Sequence, residues 1–382
     1  MSGSAEQTWR GTDVSLSEVL RQLNQLRVTA ARREIADREH IHPRNSVLDV
    51  IVISSELEEA ERAATVVEEL AARHPCRAVV VLDEPGTGKS RIDASVTSLS
   101  HPLVAGAVCQ YEQVFLRVRG PAANHIPSLV DSLLIPDVVT YVWWTGDPPL
   151  GAARFRSVLE AADVLLIDSA RFSRPYESLA QLAGVVAEAG NTVFGDFHWA
   201  RLQPWREVLA QFFNPPSRRP FLRGVGALGI DYVALGRGNR SAAALFAGWL
   251  GSTLGWRLRR SAAGRGGVVA AHLSSPDGHP VEVAMRPVEM EGFAPGEVTG
   301  IRIDAVGGGR TCLLQAVRDP QDSGHVKVEA DVGGSAVPRL MLPVPPRTDA
   351  DLLSRLLIEA RGDRSFPGAL KMGAALLESA RR

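Results

Sequence analysis

Several residue groupings in the sequence could support chemistry. Gly86-Thr87-Gly88-Lys89-Ser90 follows an apolar run and ends like a phosphate-binding loop. Val164-Leu165-Leu166-Ile167-Asp168, farther on, has the form of an acidic strand that holds Mg²⁺ in nucleotide hydrolases. Such a loop needs G-x-x-x-x-G-K-[ST] between a strand and a helix, because loop amides and helix N-terminus cradle phosphate together. Here Asp83 and Glu84 stand where the loop should begin. An unpaired carboxylate about 5 Å from a phosphate charge costs roughly 3 kcal/mol at an effective dielectric near 20. Ile92, Ala94 and Val96 alternate with Asp93, Ser95 and Thr97, which predicts a strand where the helix is required. The residues therefore read as a Gly-rich turn between two strands.

Other spacings are weaker. His40-x-His42 and Asp196-x-His198 each bring two metal-ligand types together, but no further pair completes a tetrahedral set. Gly224-x-Gly226-x-x-Gly229 fits a dinucleotide pattern by count, yet it precedes the strand-like run Ile230 to Leu235 instead of opening a helix. G-x-S-x-G, C-x-x-C and H-E-x-x-H do not occur. The lack of a catalytic signature favours a binding or regulatory role, with no cofactor and no metal expected.

Two aromatic clusters remain. Tyr141-Val142-Trp143-Trp144 ends a run apolar on both faces, which places it centrally in a sheet. Trp199-Ala200-Arg201-Leu202-Gln203-Pro204-Trp205-Arg206 follows another strand and opens a helix. Trp and Arg dominate protein interfaces. The core is the stronger reading for Trp143 and Trp205, while Trp144 and Trp199 stand evenly between core and interface. Only Lys89, Lys327 and Lys371 are lysines among 42 basic residues, so arginine clusters carry less weight than usual.

These residues need elements to position them. Residues 1–13 are polar and are expected to lack regular structure, and Ser15 caps a helix carrying Leu16, Val19, Leu20, Leu23 and Leu26. Residues 29–46 read as a connection. From Val47 to Phe213 strand-like and helix-like segments alternate, which predicts an α/β domain with a mostly parallel, mixed sheet. Asn214-Pro215-Pro216-Ser217 is the expected linker. Beyond it one helix (241–254), seven strand-like runs with turns such as Pro276-Asp277-Gly278, and two closing helices predict an α+β domain with an antiparallel sheet. The expected organisation is an N-terminal arm (1–45), an α/β domain (46–214) and an α+β domain (218–382).

Composition narrows the classes further. The 382 residues are 45% hydrophobic and carry 42 basic against 43 acidic side chains, which excludes disorder and gives no bulk attraction to nucleic acid. No run approaches the ~18 apolar residues that span a bilayer. The three cysteines Cys76, Cys109 and Cys312 fit a reducing compartment, so a soluble cytoplasmic protein is expected.

A family resemblance adds to this. His74-Pro75-Cys76-Arg77, Leu133-Leu134-Ile135-Pro136-Asp137 before Val142-Trp143-Trp144, and Asp168-Ser169 with Arg171-Phe172 are matching blocks. The block from Trp199 to Arg206 with Ala210-Gln211-Phe212-Phe213, and Ala247-Gly248-Trp249-Leu250 before Gly255-Trp256, complete the set. Together they resemble the OpcA family of glucose-6-phosphate dehydrogenase assembly proteins. The resemblance implies a non-enzymatic partner that binds glucose-6-phosphate dehydrogenase and stabilises its active oligomer, supporting the oxidative pentose phosphate pathway. Trp144, Arg171, Trp199, Arg201 and Arg206 are the candidate contact residues. The alternatives are a nucleotide hydrolase using Lys89, Ser90 and Asp168, and a sugar-phosphate sensor whose ligand sits near Trp144, Asp168, Arg171 and Trp199. The cysteines supply no dithiol pair for a redox switch.

Overall fold

A computed structural model describes residues 7–36, 46–71, 73–102, 108–234, 239–319 and 321–381. The chain forms two compact units, each drawn from three separate stretches. The first comprises residues 1–168, 189–195 and 349–361, and the second the remainder.

The first unit is built on a sheet of eight strands: β1 (Gln7–Gly11), β2 (Leu48–Ser54), β3 (Cys76–Glu84), β4 (Arg91–Pro102), β5 (Val108–Arg119), β6 (Val139–Trp144), β7 (Val164–Ile167) and β8 (Val193–Asp196). Its helices are α1 (Leu16–Ala36), α2 (Leu57–Ala71), α3 (Ile126–Asp131), α4 (Ala153–Glu160) and, from far along the chain, α10 (Asp349–Glu359). The strand order is β1-β4-β5-β3-β2-β6-β7-β8. Pairs β5–β3, β3–β2, β2–β6 and β6–β7 are parallel, and β4–β5 and β1–β4 antiparallel. All of β2 and nearly all of β3 is buried, as expected of strands covered on both faces. The expected α/β domain with a mixed sheet is therefore observed.

Two local expectations are corrected. Residues 7–11 are not irregular but form β1, an edge strand in register with β4 from Gln7–Ser98 to Gly11–Ala94. Five residues with polar alternation give little local signal, and the strand exists because β4 offers it a free edge. Residues 29–36 continue α1 instead of forming a connection. Arg-rich sequence has good helix propensity even where no apolar stripe marks it.

A buried charge network anchors α1 to the sheet. Arg27 grips Glu112 of β5 with two bonds of 2.7 Å, and Arg77 of β3 reaches the same carboxylate at 3.2 Å and the Leu133 carbonyl at 2.7 Å. Beside them Asp49 of β2 is wholly buried and accepts the Ile135 amide at 2.8 Å. Burial raises the Asp49 pKa from 3.8 to about 6, against the opposing pull of that amide and of Arg77.

The second unit carries β9 (Val225–Val233), β10 (Arg257–Ala263), β11 (Val269–Ser274), β12 (Pro280–Val288), β13 (Val298–Gly307), β14 (Arg310–Asp319), β15 (Asp322–Val332) and β16 (Ser335–Pro343). They are ordered β10-β11-β12-β9-β13-β14-β15-β16. Every pair is antiparallel except β9–β12, so the expected α+β domain is present with a mostly antiparallel sheet. Its helices are α5 (Pro175–Glu188), α6 (Phe197–Arg201), α7 (Gln203–Phe213), α8 (Pro220–Arg223), α9 (Ser241–Thr253) and α11 (Phe366–Arg381). α9 and α11 approach until their backbones touch. A Cβ on Gly248 would lie 2.1 Å from the Ala369 carbonyl oxygen, and one on Gly373 would lie 2.6 Å from that of Ala244.

Two predictions follow from these contacts. Gly248→Ala must separate the two helices and should cost about 1–3 kcal/mol, read as a lower denaturation midpoint. Asp49 holds its proton more tightly folded than unfolded, so its ionisation costs stability as pH rises from the unfolded pKa through the folded one. Asp49→Asn should therefore gain on the parent by on the order of 3 kcal/mol between about pH 4 and pH 7.5 in urea unfolding, and the difference should be flat above that.

Candidate functional site

The run β5-β3-β2-β6-β7-β8 has the strand order of a dinucleotide-binding sheet, with its reversal point between β2 and β6. Ligands of such sheets sit outside the carboxyl ends of the strands at that point, with pyrophosphate on a glycine-rich turn that opens the first helix. The corresponding turn here is Ser54-Ser55-Glu56-Leu57. Ser54 turns inward, its hydroxyl donating to the Glu56 carbonyl at 2.9 Å and accepting the Glu56 amide at 3.2 Å. Glu58 and Glu59 occupy the first turn of α2, where a phosphate would otherwise gain from the dipole. Close approach of a pyrophosphate would set it against carboxylates and side chains in place of glycine backbone. These residues do not fit the group.

Neighbouring side chains close the same crest. Trp144, at the end of β6, is 5% exposed and packs on Phe155, with ring centroids 5.4 Å apart. Arg62 of α2 lies over the Trp143 ring at 5.7 Å and pairs with Glu59 at 2.8 Å and with Asp349 of α10. Asp83, at the end of β3, is buried and paired with Arg154 at 2.8 Å; burial raises its pKa and Arg154 opposes the rise.

The Gly86–Ser90 segment is a turn between β3 and β4, as its alternation implied. Its backbone packs on Gly120, where a Cβ would meet the Gly88 and Lys89 carbonyl oxygens at 2.8 and 2.9 Å. Glu84 beside it receives Arg117 and Arg119, whose hydrogen bonds hold its pKa low. Lys89 is 87% exposed and lies 3.5 Å from Asp13. Ser90 is exposed and Asp168 buried. With a strand after it, the loop has no helix N-terminus to offer a phosphate.

In the second unit, residues distant in sequence meet. Trp199 is 3% exposed; its indole nitrogen donates to Asp363 at 2.6 Å, and Arg206 stacks on its ring at 3.7 Å. The other Asp363 oxygen accepts the Ser365 and Phe366 amides and so caps α11. Of the five candidate contact residues, the structure joins Trp199 and Arg206 in this cluster. Arg171 is exposed at the end of a short 3₁₀ turn and Arg201 is half-buried at the end of α6.

A Ser–Asp–His trio lies nearby and went unnoticed in the sequence, since Ser169 is 27 residues from Asp196. Ser169 donates to Asp196 at 2.6 Å, and the His198 Nδ1 is 3.4 Å from the same hydroxyl. Asp196 also accepts the Ser169 and His198 amides. A nucleophilic triad needs histidine between serine and carboxylate. Here the carboxylate takes the serine proton bond directly and all three residues are buried, so the trio pins a turn.

His40 and His42 lie outside the described residues, among which no three metal-ligand side chains converge. Gly224 and its companions serve strand packing, a Cβ on Gly224 falling 1.7 Å from the Val306 carbonyl oxygen. Cys76 and Cys312 are buried free thiols. Among the described residues no helix is long and apolar enough to cross a membrane.

An oxidoreductase from Sinorhizobium meliloti shares the fold, with a TM-score of 0.52 and 12% identity over 88% of this chain and 97% of that one. The likeness is one of fold alone, and the turn at Ser54–Glu56 does not suit a pyrophosphate. Residues 67–184 match the glucose-6-phosphate dehydrogenase subunit N-terminal domain, and residues 192–370 the C-terminal domain of the same subunit. The chain belongs to the OpcA family. A Synechocystis sp. relative named as the OxPP cycle protein OpcA is 30% identical over 50% of this chain and 39% of its own length. The Synechococcus elongatus protein of that name is 28% identical over 75% of this chain and 64% of its own. The chain therefore spans less than two thirds of the length of these relatives.

Because Asp363 serves both the Trp199 indole and the α11 cap, Asp363→Ala should destabilise the protein by about 1–2 kcal/mol and shift its tryptophan emission. Thermal unfolding monitored by fluorescence checks both effects.

Proposed function

We propose that this protein binds glucose-6-phosphate dehydrogenase without catalysing a reaction itself, and that it stabilises the enzyme's active oligomer. The observation that carries the reading is the pair of consecutive family matches, both described as parts of a subunit of that enzyme. The replaced phosphate turn at Ser54–Glu56 supports a non-catalytic role for an oxidoreductase-type fold. Mechanistically the effect is linkage: a partner with higher affinity for the active oligomer shifts the population toward it by that difference in affinity. The setting is the cytoplasm, and the outcome is greater flux into the oxidative pentose phosphate pathway and its NADPH.

Within the contact surface, exposed Arg171 and half-buried Arg201 meet the enzyme, and Arg206 on Trp199 holds the segment that presents Arg201. Trp144 contributes by filling the crest beneath its loop.

The test is a dehydrogenase assay across glucose 6-phosphate concentration, with and without the protein, together with sizing of the mixture. Lower apparent KM or higher rate, with co-migration, is the expected result, and Arg201→Glu should weaken the effect about tenfold. Unchanged kinetics and separate migration overturn the reading.

A further inference from the structure

The second unit contains a cleft of about 900 Å³ that none of the candidate contact residues line. Its wall includes Arg174 and Tyr176 at the start of α5, Tyr232 of β9, Arg240 at the start of α9, Gly267 before β11, and Glu289 after β12. Arg174 lies 3.4 Å from Glu177. Arg240 is engaged differently. It donates to the Tyr176 hydroxyl and lies 5.1 Å from that ring's centre, and among the described residues no carboxylate pairs with it. Its guanidinium thus keeps donors for an oxyanion, next to the positive end of the α5 dipole.

Tyr232 is the second sign of a ligand. The residue is fully buried, and its hydroxyl faces Arg240 without a hydrogen bond of normal geometry to it or to any other described residue. Burial raises its pKa, with the Arg240 charge opposing the rise, so the group stays a neutral phenol able to donate and accept. Buried hydroxyls are normally satisfied, and one left open on a cleft wall marks a position for a polar ligand atom.

The cation is also held in place. Asn239, just before it, donates to the Ser169 and Ala170 carbonyls at 2.8 and 2.9 Å and accepts the Ser241 amide at 2.8 Å. Gly296, at φ +87°, makes room: a Cβ there would lie 2.6 Å from the Asn239 carbonyl oxygen. Fixing the backbone on both sides of Arg240 lowers the entropy lost when it captures an anion. Glu289 on the rim repels a second negative charge and accepts from neutral hydroxyls.

We propose that this cleft binds a small polyhydroxylated oxyanion, a phosphorylated or carboxylated sugar, with Arg240 holding the anion and the Tyr232 and Tyr176 hydroxyls reading the neutral body. The assignment is independent of partner binding and is tested on this chain alone, without any dehydrogenase.

Calorimetric titrations with glucose 6-phosphate, gluconate, inorganic phosphate and glucose distinguish the sources of the anion. Saturable binding of either sugar anion, about tenfold or more tighter than glucose and than inorganic phosphate, is the expected result. Arg240→Gln should weaken that binding at least about tenfold. Should Arg240→Gln fail to fold, Tyr232→Phe, which removes one oxygen and leaves the packing, decides: it should weaken binding severalfold with the ligand-free melting temperature retained. The proposal is overturned by no saturation with either sugar anion, by glucose or phosphate binding equally well, or by variants that bind like the parent.

Discussion

A parallel sheet whose strand order reverses must leave a crevice where the chain departs in two directions, and the chemistry open to the first unit depends on what fills it. In dinucleotide enzymes glycine backbone and a bare helix N-terminus fill it with phosphate. Here a serine folded onto its own turn, glutamates on the first turn of α2, and the Trp144–Phe155 pair occupy the same position. The scaffold survives this exchange because its stability comes from β2 and β3, buried along nearly their whole length, and not from the crest.

Charge is handled similarly in both units. The sheet of the first unit buries Asp49, Arg77 and Glu112 together, and that of the second binds Asp231 between Arg286 at 2.9 Å and Arg302. Removing one member of such a group leaves its neighbour uncompensated, so the members of each network depend on one another. Arginine suits the role because its planar fork satisfies two acceptors at once, as Arg27 does on Glu112.

The fold was legible where physics is local. Val47 to Ser54, Ala78 to Val81 and Val138 to Trp144 are mostly apolar runs bounded by polar turns, and each became a parallel strand. Ile92, Ala94 and Val96 revealed a strand after Lys89 and so settled the character of that loop. β1 was not legible, because a five-residue edge strand takes its conformation from the neighbour it pairs with. The site was less readable still. Trp199 stood out by type, but Asp363, which orients it, is 164 residues away, and nothing in either local sequence announces the other. The cleft around Arg240 combines five separate stretches of chain, each unremarkable alone.

The placement of α10 carries a consequence for biosynthesis. This helix reaches back to the first unit through Arg62–Asp349, Arg73–Asp351, His74–Ser354 and Tyr141–Leu357. On the ribosome, the cover of this sheet is therefore completed only after every strand of the companion sheet has emerged. Until then the surface meant for Leu352, Leu353 and Leu356 stands bare, and a nascent chain in that state is a natural client for chaperones.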